Sequence, residues 1–296
     1  MRVLIICLIG LLLNFFPAKN PVLGSDSEKK LTGGVEAFYQ ADWQTANEIF
    51  ESLILEYPDN PEGYFFRSMI PYWSYFFAGE EPEDAETFLK HSERAVEIAK
   101  RKLEASPDDQ RSVLMLSGLY GYRSLVAANE GNYRTAINSG TSGYRYSKKL
   151  MEMETDNPDA LIGQGMFNYM IGSVPGALRW IGSLAGLDGD KEKGLELLEK
   201  AAESDATVSN DARMILTYLY LEEEKFEKAL NAIEPLSKQY PDNEIFQYYY
   251  AKSLEFNGQE DEAKEVYEIV VDLENPKLEN LREKSQERLE NLMASL

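Results

Sequence analysis

The chain contains one cysteine, Cys7, and one histidine, His91, in 296 residues. A disulfide framework needs paired cysteines, and a His/Cys zinc site needs three or four ligands, so both are excluded. Nucleophilic catalysis fares no better. Ser142 in "GTSGYRY" lies between glycines, but no strand-to-helix elbow surrounds it and no histidine stands near in sequence to act as base. The acidic clusters Glu80-Glu81 and Glu222 to Glu224 read as solvated helix ends, and "GLDGDKEKG" lacks the alternating oxygen ligands of a calcium loop. Basic residues are scarce too, 30 against 51 acidic, for a net charge of −21. Such a surface repels nucleic-acid phosphates and anionic lipid headgroups. Alternating strand patterns are missing throughout. The expectation is therefore a non-enzymatic, all-α chain with no catalytic residue, metal or cofactor and no nucleic-acid partner.

The one long apolar run is at the start. In "MRVLIICLIGLLLNFFPAKNPVLGS" a basic Arg2 precedes apolar residues from Val3 to about Phe16, and Pro17 closes them. That is shorter than the roughly 18–20 residues of a membrane span. Val22 and Gly24 supply small or apolar residues at the −3 and −1 positions of a cleavage site, so residues 1–24 are predicted to be a secretory signal. Cleavage would remove Cys7 and two of the basic residues. The rest, 25–296, is expected as one exported domain, periplasmic or extracellular in a bacterial envelope, with no stable membrane insertion. Hydrophobic residues at 44% make it too apolar to be disordered.

What is abundant is periodicity. In "GGVEAFYQADWQTANEIFESLILEYPDNP", Gly34, Trp43, Ala46, Phe50, Leu53 and Pro58 stand at intervals of 9, 3, 4, 3 and 5. Phe226, Ala229, Ile233, Leu236 and Pro241 repeat the last four intervals, and both segments end in Tyr-Pro-Asp-Asn. Ala263, Tyr267 and Val270 form a third copy, with its proline one residue late at Pro276. The small residue lets two helices lie close, the residue four later packs into the next unit, and the proline is expected to start the following helix. This spacing resembles the tetratricopeptide repeat, a 34-residue helix–turn–helix unit. The resemblance implies a right-handed α-solenoid with pairs at about 27–60, 61–107, 108–157, 158–206, 207–241 and 242–276. Leu278, Leu281, Leu289, Leu292 and Leu296 form one stripe on an otherwise charged last helix, 277–296, read as a cap over the solenoid end.

One stretch departs from the rest. Between Ala160 and Leu187 the only charged residue is Arg179, and "GQGMFNYMIGSVPGALRWIGSLAG" holds six glycines. Helix A of the fourth pair is expected from about Asp159 to Ile171, followed by an inserted short helix from Pro175 to about Ala185. Val174, Leu178 and Ile181 form one apolar stripe on it, and Ala177, Trp180 and Leu184 another, so it is expected to plug the groove. Gly163, Gly165, Phe167-Asn168, Pro175, Gly189-Asp190 and Gly194-Leu195 with Leu198 resemble a segment of the inclusion-body clearance family of eukaryotic tetratricopeptide proteins. The same residues resemble a set of exported bacterial tetratricopeptide proteins. Neither attaches an activity to those positions.

In a tetratricopeptide array helix A of each pair lines the concave face. Tyr72, Trp73, Tyr122, Arg123, Asn168, Tyr218, Tyr248 and Lys252 are expected there, and aromatics with Arg are common at contact hot spots. The leading reading is an exported scaffold that holds a protein or peptide partner in this groove. The alternative is a solute-binding solenoid accessory to an envelope transport system, with Asn168, Arg179 and Trp180 lining a pocket.

Overall fold

The computed structural model describes residues 25–79, 81–153, 158–173, 189–205, 208–273 and 275–294. Residues 1–24, with the expected leader, and residues 174–188, with the expected plug, Arg179 and Trp180, lie outside them. Every regular element among the described residues is helical. These are α1 (Ser25–Tyr39), α2 (Trp43–Glu56), α3 (Pro61–Trp73) with a π-helical continuation (Ser74–Gly79), α4 (Pro82–Ala105) and α5 (Gln110–Asn129). There follow α6 (Tyr133–Glu152), α7 (Pro158–Gly172), α8 (Lys191–Ala202), α9 (Val208–Glu222) and α10 (Phe226–Gln239). The last are α11 (Glu244–Phe256), α12 (Glu260–Asp272) and α13 (Glu279–Ala294). Adjacent helices pack in sequence, as an α-solenoid requires.

The periodic positions are the core. Ala46, Phe50, Ala229, Ile233, Ala263, Tyr267 and Val270 are fully buried, and Leu53 and Leu236 are nearly so. Gly34 shows how closely α1 and α2 approach, since a Cβ there would stand 2.6 Å from the Phe50 ring. The prolines of the repeat do not start helices as expected. Pro107, Pro241 and Pro276 are each the second residue of a β-turn that precedes the helix. The Asp109 N–H donates to the Ser106 carbonyl (3.0 Å), Asn243 N–H to the Tyr240 carbonyl (3.1 Å) and Leu278 N–H to the Asn275 carbonyl (2.9 Å). The fixed φ of proline suits that turn position. At Pro241 the residue that ends the turn then caps the next helix, with the Asn243 side chain accepting from Phe246 N–H at 3.1 Å. This Tyr-Pro-Asp-Asn is thus a turn and a helix cap in four residues.

The chain forms two compact units, one of Asp59–Phe65 with Leu89–Ile215 and one of 25–58 with Phe66–Phe88 and Leu216–Leu296. In the first, α5 lies against α6 at glycine: a Cβ on Gly143 would meet the Gly121 amide nitrogen at 3.2 Å. Ser117 and Ser147 join hydroxyls across the same crossing at 2.6 Å. Glu62, almost wholly buried, pairs with Arg111 at 2.5 Å. The helices α7 and α8 cross at Gly165 and Gly194. A Cβ on Gly194 would lie 2.4 Å from the Tyr169 nitrogen, and one on Gly165 2.9 Å from the Gly194 carbonyl oxygen. Gly172 and Gly189 meet as well, because a Cβ on Gly189 would lie 2.9 Å from the Gly172 nitrogen. The glycine series 165, 172, 189, 194 is therefore a requirement of helix crossing.

In the second unit the first helices pack against the last. The Asn243 amide donates to the Tyr39 carbonyl at 2.8 Å, and Tyr39 and Tyr240 place their rings 5.7 Å apart. Trp73 makes edge contacts with Phe38 (5.2 Å) and Phe246 (6.0 Å), and Phe77 meets Tyr249 at 5.8 Å. The cap α13 buries Leu281, Leu289 and Leu292, with Leu278 just before it. It also hydrogen-bonds the π-helical turn through Lys284 and the Ala78 carbonyl, at 2.9 Å. This unit adds contacts between helices far apart in sequence to those between neighbours. Its aromatic residues are numerous enough to join helices far apart in sequence. Pro71, which has no N–H to donate back along α3, precedes the wider π-turn that carries Tyr75 and Phe77 into this core.

Candidate functional site

Four of the residues expected on an open groove are inside. Tyr72 is fully buried between Phe76 and Phe88, with ring centroids at 4.8 and 5.2 Å. Trp73 is 4% exposed, Tyr122 2% and Tyr248 7%. Tyr72 lies against Phe88 of α4, Trp73 against Phe38 of α1 and Phe246 of α11, and Tyr248 against Tyr267 of α12, so these rings serve packing. Arg123 is half-buried and donates to the Leu89 carbonyl and to Ser92 Oγ, tying α5 to α4. Burial holds its guanidinium pKa below the ordinary value. Asn168 donates its side-chain amide to the Gln164 carbonyl of its own helix at 2.9 Å. Both side chains are engaged within the fold.

Tyr218 on α9 and Lys252 on α11 keep part of their surface open to solvent. They stand one repeat of about 34 residues apart on successive A helices. Lys252 lies with its Nζ 5.8 Å from the Tyr249 ring centroid and 5.9 Å from that of Phe256. Phe256, one turn further along α11, is 41% exposed and stacks on Phe226 of α10 at 5.3 Å. The Arg288 guanidinium of α13 also sits 5.3 Å from the centre of the Phe256 ring. Arg288 Nη1 donates to both carboxylate oxygens of Glu255 at 2.9 Å, and the Tyr267 hydroxyl donates to Glu255 Oε2 at 2.7 Å. Burial, and then that hydrogen bond, push the Tyr267 phenol well above its ordinary pKa.

The electrostatic outcome is a cation without a counter-ion among the described residues. Glu255 is already occupied by Arg288 and Tyr267, and among the described residues Lys252 has no carboxylate within ion-pair distance. Burial first, and the neighbouring Arg288 charge second, depress the Lys252 ammonium below the ordinary lysine value. Around it stand Arg288 and Lys284 as further cations and Glu222 and Glu255 as the acidic groups. The face formed by α9, α11 and α13 thus joins an exposed aromatic shelf to a positive charge that the described residues leave unpaired. Of its members, the repeat spacing points to Tyr218 and Lys252. It misses Phe256, although the position four residues after Lys252 on the same helix is a signal for it. It also misses Arg288, which in sequence is one more solvated charge of the cap. No group of His, Cys, Asp and Glu among the described residues is arranged to hold a metal ion. No described helix is long and apolar enough to cross a membrane.

Comparison with known families gives two matches. Residues 152–283 match the family described as Iml2/Tetratricopeptide repeat protein 39, a span that contains Gly163 to Leu198, and residues 35–60 match the tetratricopeptide repeat. Among solved structures, a thermophilic tetratricopeptide protein of Thermus thermophilus is similar, at 18% identity over 77% of this chain and 98% of its own, with a TM-score of 0.45. The tetratricopeptide domain of P58(IPK) is similar at 16% identity over 90% of this chain and 99% of its own, with a TM-score of 0.27. No curated protein matches the chain in sequence.

Proposed function

We propose that the chain, a tetratricopeptide-repeat protein that resembles the Iml2 family, is an exported scaffold that holds a protein or peptide partner on its α9–α11–α13 face. The repeat architecture is that of protein-interaction scaffolds, which bind through surfaces formed by stacked helices. One observation carries the placement: Phe256 stands exposed beside Lys252, whereas Tyr72, Trp73, Tyr122 and Tyr248 are used up in packing. Aromatic residues flanked by cations are what interaction hot spots are made of. Export rests on the leader-like residues 1–24, whose acid-free apolar run ends at a cleavage pattern before Ser25.

The test is capture from envelope extract by the protein lacking residues 1–24. Phe256→Ala and Tyr218→Ala are expected to lose a partner that the unaltered protein and Ile137→Ala both retain, Ile137 being an apolar residue 68% exposed on α6. Equal capture by all four would refute the placement. In the same preparation, protein made with its native leader is expected to begin at Ser25; an intact Met1 on a membrane-bound product would refute export.

A further inference from the structure

In a chain of net charge −21, a part-buried lysine with no carboxylate partner among the described residues is out of keeping with its surroundings. With 51 acidic residues against 30 basic ones, a pairing partner for Lys252 would have been easy to supply. The nearest carboxylate on its own helix, Glu255, is held by Arg288 and Tyr267. Glu222 of α9 is exposed and makes no ion pair with it. The Tyr249 and Phe256 rings approach the ammonium only at 5.8 and 5.9 Å, close to the outer limit of about 6 Å for a useful cation–π contact. Lys252 is thus held beside aromatic rings while its charged end has no counter-ion among the described residues.

We infer that Lys252 binds a carboxylate on the partner, one that adjoins an aromatic side chain able to lie on the Phe256–Phe226 shelf. The chemistry follows from the two parts of the face. A half-desolvated ammonium makes a stronger charge-assisted hydrogen bond than one in bulk water. The exposed Phe256 ring offers apolar area immediately beside it, already stacked on Phe226. A phosphate is a poorer fit, because the neighbouring guanidinium of Arg288 is engaged with Glu255 and bidentate recognition of phosphate depends on a free Arg fork. The carboxylate can be a chain terminus or an acidic side chain, and both have the same chemistry at Nζ. The inference rests on the scaffold reading for its partner, but it concerns only what Lys252 recognises.

Three small probes separate the possibilities in an amide-resolved NMR titration of the protein lacking residues 1–24. N-acetyl-phenylalanine carries the aromatic ring and a terminal carboxylate. N-acetyl-phenylalanine amide carries the ring alone. N-acetyl-aspartyl-phenylalanine amide carries the ring and a side-chain carboxylate. Binding of either acid, shifting the amides of Lys252 and Phe256, is expected to be about tenfold or more tighter than binding of the neutral amide. Whichever acid binds identifies the source. Lys252→Met keeps most of the stem and removes the charge, and it is expected to abolish the difference between acid and amide without lowering the melting midpoint. Equal binding of acid and amide to the unaltered protein overturns the inference and needs no variant to be folded. An undiminished acid preference in Lys252→Met overturns it as well, and so does the failure of all three probes to bind. If Lys252→Met captures the partner as well as the unaltered protein does, the scaffold stands and this assignment falls. If the acids bind at Lys252 but no partner is captured, the assignment stands and the scaffold falls.

Discussion

Glu244 and Lys252 occupy the same helix and bear opposite charges, yet burial works against the ionised form of each. Glu244 stands in the first turn of α11, 5% exposed, with the Asn275 amide at 3.5 Å as a side-chain donor. Burial raises its pKa above the ordinary 4.5. A carboxylate that holds its proton more tightly folded than unfolded destabilises the fold when ionised, and that penalty disappears as pH falls through the folded pKa. Glu244→Gln is therefore expected to melt higher than the unaltered protein at pH 7. The gain should shrink as pH is lowered toward the ordinary carboxylate range, and melting midpoints across that interval check it. A gain that grows on acidification would mean the carboxylate is stabilised in place. Residue-scale electrostatics of this kind are not legible in the sequence. The position of Lys252 on its helix is readable, but that it does not pair with Glu255 depends on Arg288, far along the chain, holding that carboxylate. The same holds for Tyr72 and Trp73, whose side chains are expected to face a groove and instead meet Phe88 and Phe246.

At the scale of elements the sequence is far more informative, because helix pairs are written in local spacing. Alanine at 46, 229 and 263, with an apolar residue four later, marks helix contacts wherever it occurs, and all three alanines are fully buried. The prolines mislead by a few residues, since a proline near a helix start fits either the first helical position or the turn before it. The glycines of the fourth pair stand out in sequence without their reason being apparent. Gly194 permits α8 to touch the backbone of α7, so Gly194→Ala should destabilise by about 3 kcal/mol, the upper part of the range for overpacking. Gly33 is a contrasting case: it is exposed on α1 with nothing within 4 Å of an added Cβ. Gly33→Ala should stabilise by about 0.5–1 kcal/mol by restricting the unfolded chain and favouring helix. Denaturant unfolding of the two variants checks both signs, and a neutral Gly194→Ala would mean that α7 and α8 do not cross at glycine.

For the whole molecule, local spacing is silent on which repeats meet at a distance. Tyr39 with Tyr240, Asn243 with the Tyr39 carbonyl and Lys284 with the Ala78 carbonyl join the first helices of the second unit to its last, and no periodicity encodes such contacts. They draw Trp73 and its aromatic neighbours into the core of that unit, while Tyr218 on α9 and Lys252 and Phe256 on α11 keep part of their surface exposed. Other large apolar residues are exposed, Leu55 at 82% on α2 and Ile137 at 68% on α6, but among the exposed large apolar residues described only Phe256 stands beside the Lys252 ammonium. Photo-crosslinking decides whether a partner docks at the Lys252–Phe256 face, as proposed above. A benzophenone amino acid is placed at Phe256, at Leu55 or at Ile137 in separate preparations, each irradiated in the same envelope extract. One discrete adduct is expected from position 256, suppressed by Lys252→Met, and none from positions 55 and 137. An adduct of the same partner from 55 or 137 and not from 256 would contradict it.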